Sequence, residues 1–367
     1  KELKLHCDIT RDDTLYYYTT CSWMMWNWLV SGLALGCTLV IYDGSPFYPN
    51  KLAAWSLIED YKISVFGTSA KMISASKRFA LEPRSTVDLA SLRMVLSTGS
   101  PLYEEDFDYV YTHVKPDVQL CSISGGTDIV GCFALGNPLL PVKRGYLQSI
   151  SLGYPVAAYN EDGAPIIGEK GELVCEGPCP SMPIGFWNDD HHQRYIQSYF
   201  SRYPKKWHHS DYILIEADGS VKILGRSDAT LNRSGVRIGS AEIYRAVSIH
   251  PAVNDSVVVH IDAPDHILLF VQLSPNHTFS KALSKEIQQH ITTQLSSQHN
   301  PNFIFEVNQI PYTSNGKKIE LAIKALFNQG PDTPIKGLSE DVLAEYTQIY
   351  EQKYKPIKER RRGIVRG

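Results

Sequence analysis

Apolar runs alternate with stretches of helical periodicity over the first third of the chain. We predict strands at the runs rich in β-branched and aromatic residues, which are Leu15–Thr19, Cys37–Tyr42, Ser64–Gly67, Arg93–Ser97 and Gln119–Ile123. Helices are predicted between them, for example at Ala53–Asp60 and Glu104–Val114. Alternating strands and helices indicate a mostly parallel sheet that is covered on both faces. Residues 1–130 are therefore predicted to be an α/β subdomain.

The pattern changes to short apolar runs separated by turn residues between Gly131 and Leu224. The dipeptide Asp218-Gly219 is a strong hairpin signal, and it predicts that Asp211–Glu216 pairs with Val221–Leu224. Regularly spaced turns of this kind are typical of a small β-rich subdomain, which we assign to residues 131–224.

A polar, glycine-punctuated stretch follows, and it contains three arginines with few acids. We predict that residues 225–239 form a hinge that also holds an anion. The alternative is a solvated linker with scattered charge. Ser240 is predicted to cap the next helix, which Pro251 ends.

Residues 240–329 are predicted to form a compact α+β domain. Its predicted strands are Asn254–Ile261, Ile267–Leu273 and Phe303–Val307, and Ser280 is predicted to cap a helix between the second and the third. Residues 330–367 are predicted to be a polar tail with one helix, Glu340–Tyr354. The fold class is therefore multi-domain α/β.

Composition restricts the class of protein further. A net charge of -3 with dispersed basic residues gives no field for nucleic acid. The longest apolar stretch, Trp28–Tyr42, is interrupted by polar and glycine residues and is shorter than the roughly 20 residues of a membrane span. Seven scattered cysteines without a Cys-x-x-Cys pair predict free thiols, and no secretory leader is visible, so we expect a cytosolic location. Two pairs of adjacent histidines, His191-His192 and His208-His209, point apart on regular structure, and we expect no metal there.

Two predicted strands run into segments rich in glycine and hydroxyl groups. These are Thr98–Leu102 and Ser124–Asp128. Ligands of open parallel sheets bind beyond the carboxyl ends of the strands. Each segment alone is a weak signal, because a glycine-rich turn is usually only a turn.

Five motifs in a fixed order resemble those of the adenylate-forming acyl-CoA synthetase family. They are Gly125-Gly126-Thr127-Asp128, Asp211, Gly225-Arg226-Ser227-Asp228, Gly235-Val236-Arg237 and Gly316-Lys317. The resemblance implies the adenylate-forming fold, N-terminally incomplete here. It also implies a two-step reaction, in which a carboxylate and ATP form an acyl-adenylate that then reacts with coenzyme A.

The narrower similarity is to members of the family that act on acetoacetate. It rests on Trp23–Trp28, Tyr42–Phe47, Ser97–Leu102 and Ser122–Asp128. It implies acetoacetate, ATP and coenzyme A as substrates, Mg²⁺ as a cofactor and no tightly bound prosthetic group. Another short-chain acyl or keto-acid ligase stays open as an alternative. So does a non-catalytic chain that keeps a nucleotide-binding or interaction role.

The resemblance implies a role for several polar residues. Lys317 matches the catalytic lysine between the substrate carboxylate and the α-phosphate, and Lys318 is the less favoured candidate. The implied nucleotide-binding residues are Gly99, Ser100, Pro101, Gly126, Thr127, Asp211, Arg226 and Arg237. Asp211 and Arg226 match groups at the ribose, Arg237 matches a phosphate-binding arginine, and Asp128 matches a carboxylate at the magnesium. Asp128 departs from the glutamate of most relatives by one methylene.

The same resemblance implies an acyl pocket, a pivot and a thiol channel. Gly125 takes the place of a tryptophan that closes the pocket in acetate-specific relatives, and the resemblance therefore implies room for a longer acid. Trp23, Met24 and Trp26 match another wall of this pocket, although an aromatic core explains the block equally well. Asp228 matches the hinge residue and Gly235 matches the coenzyme A channel.

One family motif is absent from the 367 residues. We find no glycine-rich phosphate loop of the type Gly-x-x-x-x-Gly-Lys-Ser/Thr. Because that loop holds the β- and γ-phosphates, we expect weaker ATP binding and pyrophosphate handling. We also expect the chain to be the C-terminal part of a longer enzyme.

Overall fold

A computed structural model describes residues 1–227, 231–233, 236–262, 264–313 and 317–364. The side chains at positions 232, 233, 236, 237 and 360–364 are outside this description. The chain divides into two compact units, Lys1–Leu224 and Gly225–Gly367.

The first sheet of the first unit is entirely parallel. Its strands are β1 (Thr14–Tyr17), β2 (Thr38–Val40), β3 (Val65–Ser69), β4 (Met94–Thr98) and β5 (Gln119–Ser122). Their spatial order is β2-β1-β3-β4-β5, and every neighbouring pair is parallel. The predicted parallel sheet is confirmed, and its five predicted strands differ from the observed ones by at most two residues at either end.

Side chains alternate between the two faces of this sheet and belong to two separate hydrophobic cores. Tyr16, Phe66 and Val95 belong to one buried cluster, whereas Leu15 and Leu96 belong to another. This alternation follows from the two-residue period of a strand. Both faces are therefore covered, as predicted.

Seven helices belong to the first unit. They are α1 (Glu2–Leu5), α2 (Met24–Val30), α3 (Ala53–Tyr61), α4 (Ala70–Arg78), α5 (Pro83–Thr86), α6 (Glu104–Tyr109) and α7 (Gln193–Tyr199) in the described part of the chain. Short 3₁₀ turns occur at Ser31–Leu35 and Asp190–His192, and a π-helical turn at Val110–Val114 extends α6. The N-cap of α4 is Ser69, whose hydroxyl accepts the Met72 amide.

Two further sheets complete the first unit. The smaller contains β6 (Ser124–Gly126), β7 (Gly131–Leu135) and β8 (Ser149–Ile150), paired antiparallel. The larger has the order β10-β9-β11-β12-β13, formed by β9 (Val156–Tyr159), β10 (Pro165–Ile166), β11 (Lys170–Cys175), β12 (Trp207–Ile215) and β13 (Val221–Arg226). The predicted hairpin around Asp218-Gly219 is thus confirmed as β12 and β13.

The second unit is an α+β arrangement. Its strands are β14 (Leu231–Arg233), β15 (Val236–Ile238), β16 (Val253–Ile261), β17 (His266–Leu273) and β18 (Phe303–Glu306). β16 and β17 are antiparallel, and β17 and β18 are parallel. The helices are α8 (Ser240–Ser248), α9 (Lys281–Gln294), α10 (Glu320–Gln329), α11 (Glu340–Ile349) and α12 (Lys355–Ile364), with a 3₁₀ turn at Ser297–His299 and a π-helical turn at Tyr350–Tyr354.

One predicted cap in this unit is confirmed and another is wrong. The Ser280 hydroxyl accepts the Leu283 amide and caps α9 as predicted. Ser240 is instead the first residue of α8, and Gly239 occupies the N-cap position without a side-chain cap. The Ser240 side chain is buried, so packing rather than capping occupies it.

Residues 330–364 differ from the polar tail that the composition suggested. Val342, Tyr346 and Tyr350 are buried with Phe270 and Phe327 in one core of the second unit. The aromatic residues recur every four positions, which places them on one face of a helix. The predicted helix is present as α11 and its π-helical turn, and its apolar face is part of the domain core.

Two general features concern the described residues as a whole. No helix in the described ranges is long and apolar enough to cross a membrane. All seven cysteines are described and none is paired in a disulfide. Burial raises the pKa of the Cys7 and Cys175 thiols to about 12, which leaves them inert as nucleophiles at neutral pH.

Candidate functional site

The carboxyl ends of β4 and β5 lie side by side and bring two of the predicted binding segments together. Ser97 pairs with Ser122 in the parallel register, and the Thr98 hydroxyl donates to the Ile123 carbonyl at 2.8 Å. Gly99 follows β4 with φ +94°, a conformation that favours glycine. Beyond Gly99, Ser100 is exposed, so this segment presents backbone and a hydroxyl at the edge of the sheet.

Gly125 lies in β6 against the backbone of β7. A Cβ at Gly125 would lie 2.0 Å from the Gly131 carbonyl oxygen and 2.8 Å from the Cys132 Cα. Real Cβ atoms do not approach backbone this closely. The pairing of β6 with β7 therefore requires glycine at this position, whatever acid a pocket nearby receives.

Thr127 and Asp128 follow β6 and are both exposed. The Tyr199 hydroxyl donates to an Asp128 carboxylate oxygen, and the Tyr199 ring stacks on Trp207 with centroids 3.5 Å apart. No cluster of three or more His, Cys, Asp or Glu side chains suitable for a metal occurs in the described ranges. The exposed Asp128 carboxylate fits Mg²⁺, which is commonly held by one or two carboxylates together with substrate phosphates.

Asp211 is buried in β12, and a histidine that the sequence argument did not assign to the site lies beside it. The His209 Nε2 is 3.7 Å from the Asp211 Oδ2. A Cβ on Gly126 would lie 2.7 Å from the His209 Cε1, so the imidazole also packs against the β6 backbone. His209 thus bridges two residues that the resemblance assigns to nucleotide binding.

The neighbours of His209 determine which ring nitrogen carries the proton. The Trp207 indole N–H donates to the His209 Nδ1 at 3.3 Å, and Phe133 contacts the ring edge-on at 4.6 Å between centroids. In the neutral imidazole the Nε2 therefore carries the hydrogen and faces Asp211. The sequence shows only that His208 and His209 are adjacent. The place of His209 beside the predicted site depends on the contact between Phe133 of β7 and His209 of β12, which the sequence does not show.

The predicted acyl-pocket wall is divided between core and half-buried positions. Met24 and Trp28 are buried in the same core as Ile123 and Cys132. Trp23 is half-buried and contacts Tyr17 edge-on, and Trp26 is also half-buried. The aromatic-core interpretation therefore holds for Met24 and Trp28, while Trp23 and Trp26 keep exposed surface that an acyl group can contact.

The second unit carries the two lysines, and their surroundings differ sharply. Lys317 is exposed, and among the described residues its side chain makes no hydrogen bond or ion pair. The Lys318 Nζ donates to the Asp255 Oδ1 at 2.9 Å and to the Ser256 carbonyl, and it lies 4.2 Å from the centroid of the Tyr244 ring. Burial lowers the pKa of the Lys318 ammonium, although Asp255 opposes that shift.

The remaining predicted residues belong to the segment that opens the second unit. Arg226 ends β13 and is exposed. Arg237 lies in β15, paired with Asn232, and its side chain is outside the described part of the structure. Asp228 and Gly235 lie outside the described residues. Their hinge and channel roles stay predictions.

The parallel sheet, with glycine- and hydroxyl-rich segments at the carboxyl ends of its strands, and the separate α+β unit agree with the fold class of adenylate-forming enzymes. The chain belongs to the AMP-binding enzyme family, because the model of the AMP-binding enzyme matches residues 2–184 and that of its C-terminal domain matches residues 242–317. It is similar to an acetoacetyl-coenzyme A synthetase of Rhizobium meliloti, with 47% identity over 333 residues, and to an acetoacetyl-CoA synthetase of Gallus gallus, with 46% identity over 330 residues.

A solved structure gives the same result for the fold. The acetoacetyl-CoA synthetase of Streptomyces lividans superposes with a TM-score of 0.89 at 42% identity, over 96% of this chain and 55% of that one. The sequence matches cover 90% and 89% of this chain but only 51% and 50% of the two relatives. The chain thus spans about half the length of the curated relatives it matches. The predicted adenylate-forming fold is confirmed.

Proposed function

We propose that this chain takes part in the ATP-dependent ligation of acetoacetate to coenzyme A. The observation that carries this proposal is the identity of 46–47% with acetoacetyl-CoA synthetases over about nine tenths of the chain. In the first step an acetoacetate oxygen attacks the α-phosphorus of ATP, and the bond to pyrophosphate breaks. In the second the sulfur of coenzyme A attacks the acyl carbonyl, and AMP leaves with the bonding electrons.

The geometry supports a division of roles in the first unit. The Asp211 carboxylate accepts hydrogen bonds only, which suits two ribose hydroxyls, and His209 holds its orientation from the side. The exposed segment after Gly99 offers backbone to the adenine. Thr127 and Asp128 would hold Mg²⁺, which offsets negative charge on the phosphates when bound. The hydrogen bond from the Tyr199 hydroxyl orients the Asp128 carboxylate.

Lys317 is our choice for the catalytic cation. Its exposed ammonium is available to a substrate, whereas that of Lys318 is engaged by Asp255 and Ser256. The first step brings two anions together, so a cation between them stabilises the transition state more than the separated reactants. Arg226 and Arg237 are proposed to act at the ribose and phosphate.

Substrate choice is the part of the proposal that most needs a direct test. The close contact of Gly125 with β7 means that strand pairing already requires glycine at this position. The glycine by itself therefore does not show how wide the acyl pocket is. We therefore propose measuring pyrophosphate release by the full-length protein that contains this chain, with Mg²⁺-ATP and equal concentrations of acetoacetate, butyrate or acetate. The proposal predicts the highest kcat/KM for acetoacetate.

Two outcomes would contradict this proposal. Higher kcat/KM with butyrate or acetate would favour another short-chain ligase. AMP binding by calorimetry without pyrophosphate release for any acid would favour a non-catalytic nucleotide-binding role. The cytosolic location predicted from cysteine usage stays a prediction.

A further inference from the structure

The Asp255 carboxylate accepts hydrogen bonds from residues on both sides of the loop that carries Lys317. The Tyr312 hydroxyl donates to the Asp255 Oδ2 at 2.8 Å, and the Lys318 Nζ donates to the Asp255 Oδ1 at 2.9 Å. Tyr312 and Lys318 also form an antiparallel bridge with each other. Asp255 itself is half-buried in β16, which is an edge strand of the three-stranded sheet of the second unit.

Two hydrogen bonds between Thr313 and Lys317 lie next to the Tyr312–Lys318 bridge. The Thr313 amide donates to the Lys317 carbonyl at 2.8 Å, and the Lys317 amide donates to the Thr313 hydroxyl at 3.1 Å. Neighbouring residues of an extended segment point in opposite directions. With Lys318 fixed inward against Asp255, Lys317 is directed outward.

The Lys318 ammonium is partly buried and has contacts other than the one with Asp255. The ammonium lies over the Tyr244 ring and also bonds to the Ser256 carbonyl, so several of its donors are satisfied. Burial opposes the charged form of Asp255, but Lys318 together with the hydrogen bonds from Tyr312 and the Ser256 amide outweighs that effect and lowers the carboxyl pKa. Removing one partner of a buried, hydrogen-bonded pair of this kind leaves the other without its bond.

We infer that Asp255, Tyr312 and Lys318 form a loop clamp that positions Lys317 for adenylation. The inference rests on the proposed function, since it assigns the clamp to one half-reaction. Lys318 is a positioning residue that acts through Lys317. The second half-reaction, in which coenzyme A attacks the adenylate, does not use the Lys317 ammonium and is not expected to depend on the clamp.

The first test needs no enzymatic activity. Hydrogen exchange is measured by mass spectrometry on peptides that cover residues 311–319 and, as an internal reference, β17. Lys318→Met and Tyr312→Phe are expected to speed exchange in residues 311–319 at least about tenfold, because a bond to a charged carboxylate is lost. Exchange in β17 is expected to stay unchanged. Lys318→Arg keeps a cation beside Asp255, so exchange in residues 311–319 is expected to stay close to the wild-type rate.

The matched control removes a cation of the same unit that makes an exposed ion pair. The Lys324 Nζ lies 3.2 Å from the Asp262 Oδ1, and Asp262 is exposed. Exposed pairs contribute little to stability, so Lys324→Met is expected to leave exchange of residues 311–319 at the wild-type rate. Equal exchange in Lys318→Met, Tyr312→Phe and wild type would overturn the clamp.

The second test separates positioning from general damage. Lys318→Met is expected to lower acetoacetate-dependent pyrophosphate release by up to about 100-fold, the loss that a displacement near 1 Å can produce. Thioester formation from supplied acetoacetyl-adenylate and coenzyme A is expected to stay within about twofold of wild type. Equal loss of both half-reactions would overturn the positioning role. If the full-length wild-type protein releases no pyrophosphate, that result counts against the proposed function, and hydrogen exchange then decides the clamp alone.

Discussion

Gly125→Ala adds a single methyl group where β6 meets β7, and its effect is set by backbone geometry. The new Cβ would lie 2.0 Å from the Gly131 carbonyl oxygen, whereas ordinary van der Waals contact begins near 3.4 Å. The strands must therefore separate by roughly 1.4 Å at this point. Since the neighbour is backbone, a rotamer change cannot relieve the overlap. Overpacking of this kind typically costs about 1–3 kcal/mol, and we expect the upper half of that range.

Thermal unfolding followed by circular dichroism measures this cost. For a unit of this size about 1 kcal/mol lowers Tm by roughly 2–4 °C, so Gly125→Ala is expected to lower Tm by roughly 4–12 °C. The control is Gly177→Ala, where a Cβ would meet Pro155 at an ordinary 3.5 Å. This control is expected to change Tm by less than about 2 °C. If Gly125→Ala unfolds at the same temperature as wild type, the steric explanation for Gly125 is wrong.

Three other predictions concern the first unit. Burial opposes ionisation of Asp13, but hydrogen bonds that include one from Arg93 outweigh it and lower the pKa to about 2. Arg93→Met should therefore lower the free energy of unfolding by about 1.5–3 kcal/mol at pH 7. In urea titrations this difference from wild type should shrink as the pH falls from about 4 towards 2, because Asp13 becomes protonated. His209→Phe keeps an aromatic ring but removes both the N–H that faces Asp211 and the acceptor of the Trp207 indole N–H. Calorimetry should therefore show AMP binding weakened about 5–10-fold, and Tm should fall as well. Ser210 has φ +60°, so Ser210→Gly should stabilise the protein by about 1 kcal/mol in urea unfolding.

Each of these has a result that would contradict it. A constant difference between Arg93→Met and wild type across the acidic range would remove Asp13 as its source. AMP affinity equal to wild type in His209→Phe would show that Asp211 needs no support from His209. The control for His209→Phe is His113→Gln, which is expected to leave AMP affinity unchanged. His113 makes an exposed pair with Glu82 and is far along the chain from β12. A less stable Ser210→Gly would mean that the serine hydroxyl matters more than backbone strain.

Local periodicity predicted most of the fold. The parallel strands and the Asp218-Gly219 hairpin follow from apolar runs and turn residues that are contiguous in sequence. The aromatic face of α11 was also visible as Tyr346 and Tyr350 at a spacing of four, but the polar composition around it hid the signal. The N-cap of α8 was misplaced because serine is a common cap and only the packing shows that Ser240 is buried.

The features of the site that sequence reasoning missed depend on contacts distant in the chain. His209 gains its position from Phe133 and Gly126, which lie in other strands. The requirement for glycine at position 125 comes from β7. The different surroundings of Lys317 and Lys318 depend on Asp255, more than 60 residues earlier. Pairings of this kind have no local sequence pattern, so the motifs identified the residues but not what holds them in place.

The most direct test of the proposed function compares two half-reactions in wild type and Lys317→Ala. Pyrophosphate release is measured with Mg²⁺-ATP and acetoacetate, and thioester formation is measured with supplied acetoacetyl-adenylate and coenzyme A. We expect Lys317→Ala to abolish acetoacetate-dependent pyrophosphate release and to form the thioester at the wild-type rate, because the exposed ammonium serves only the first step. Pyrophosphate release by Lys317→Ala at the wild-type rate would contradict the assignment of the catalytic lysine.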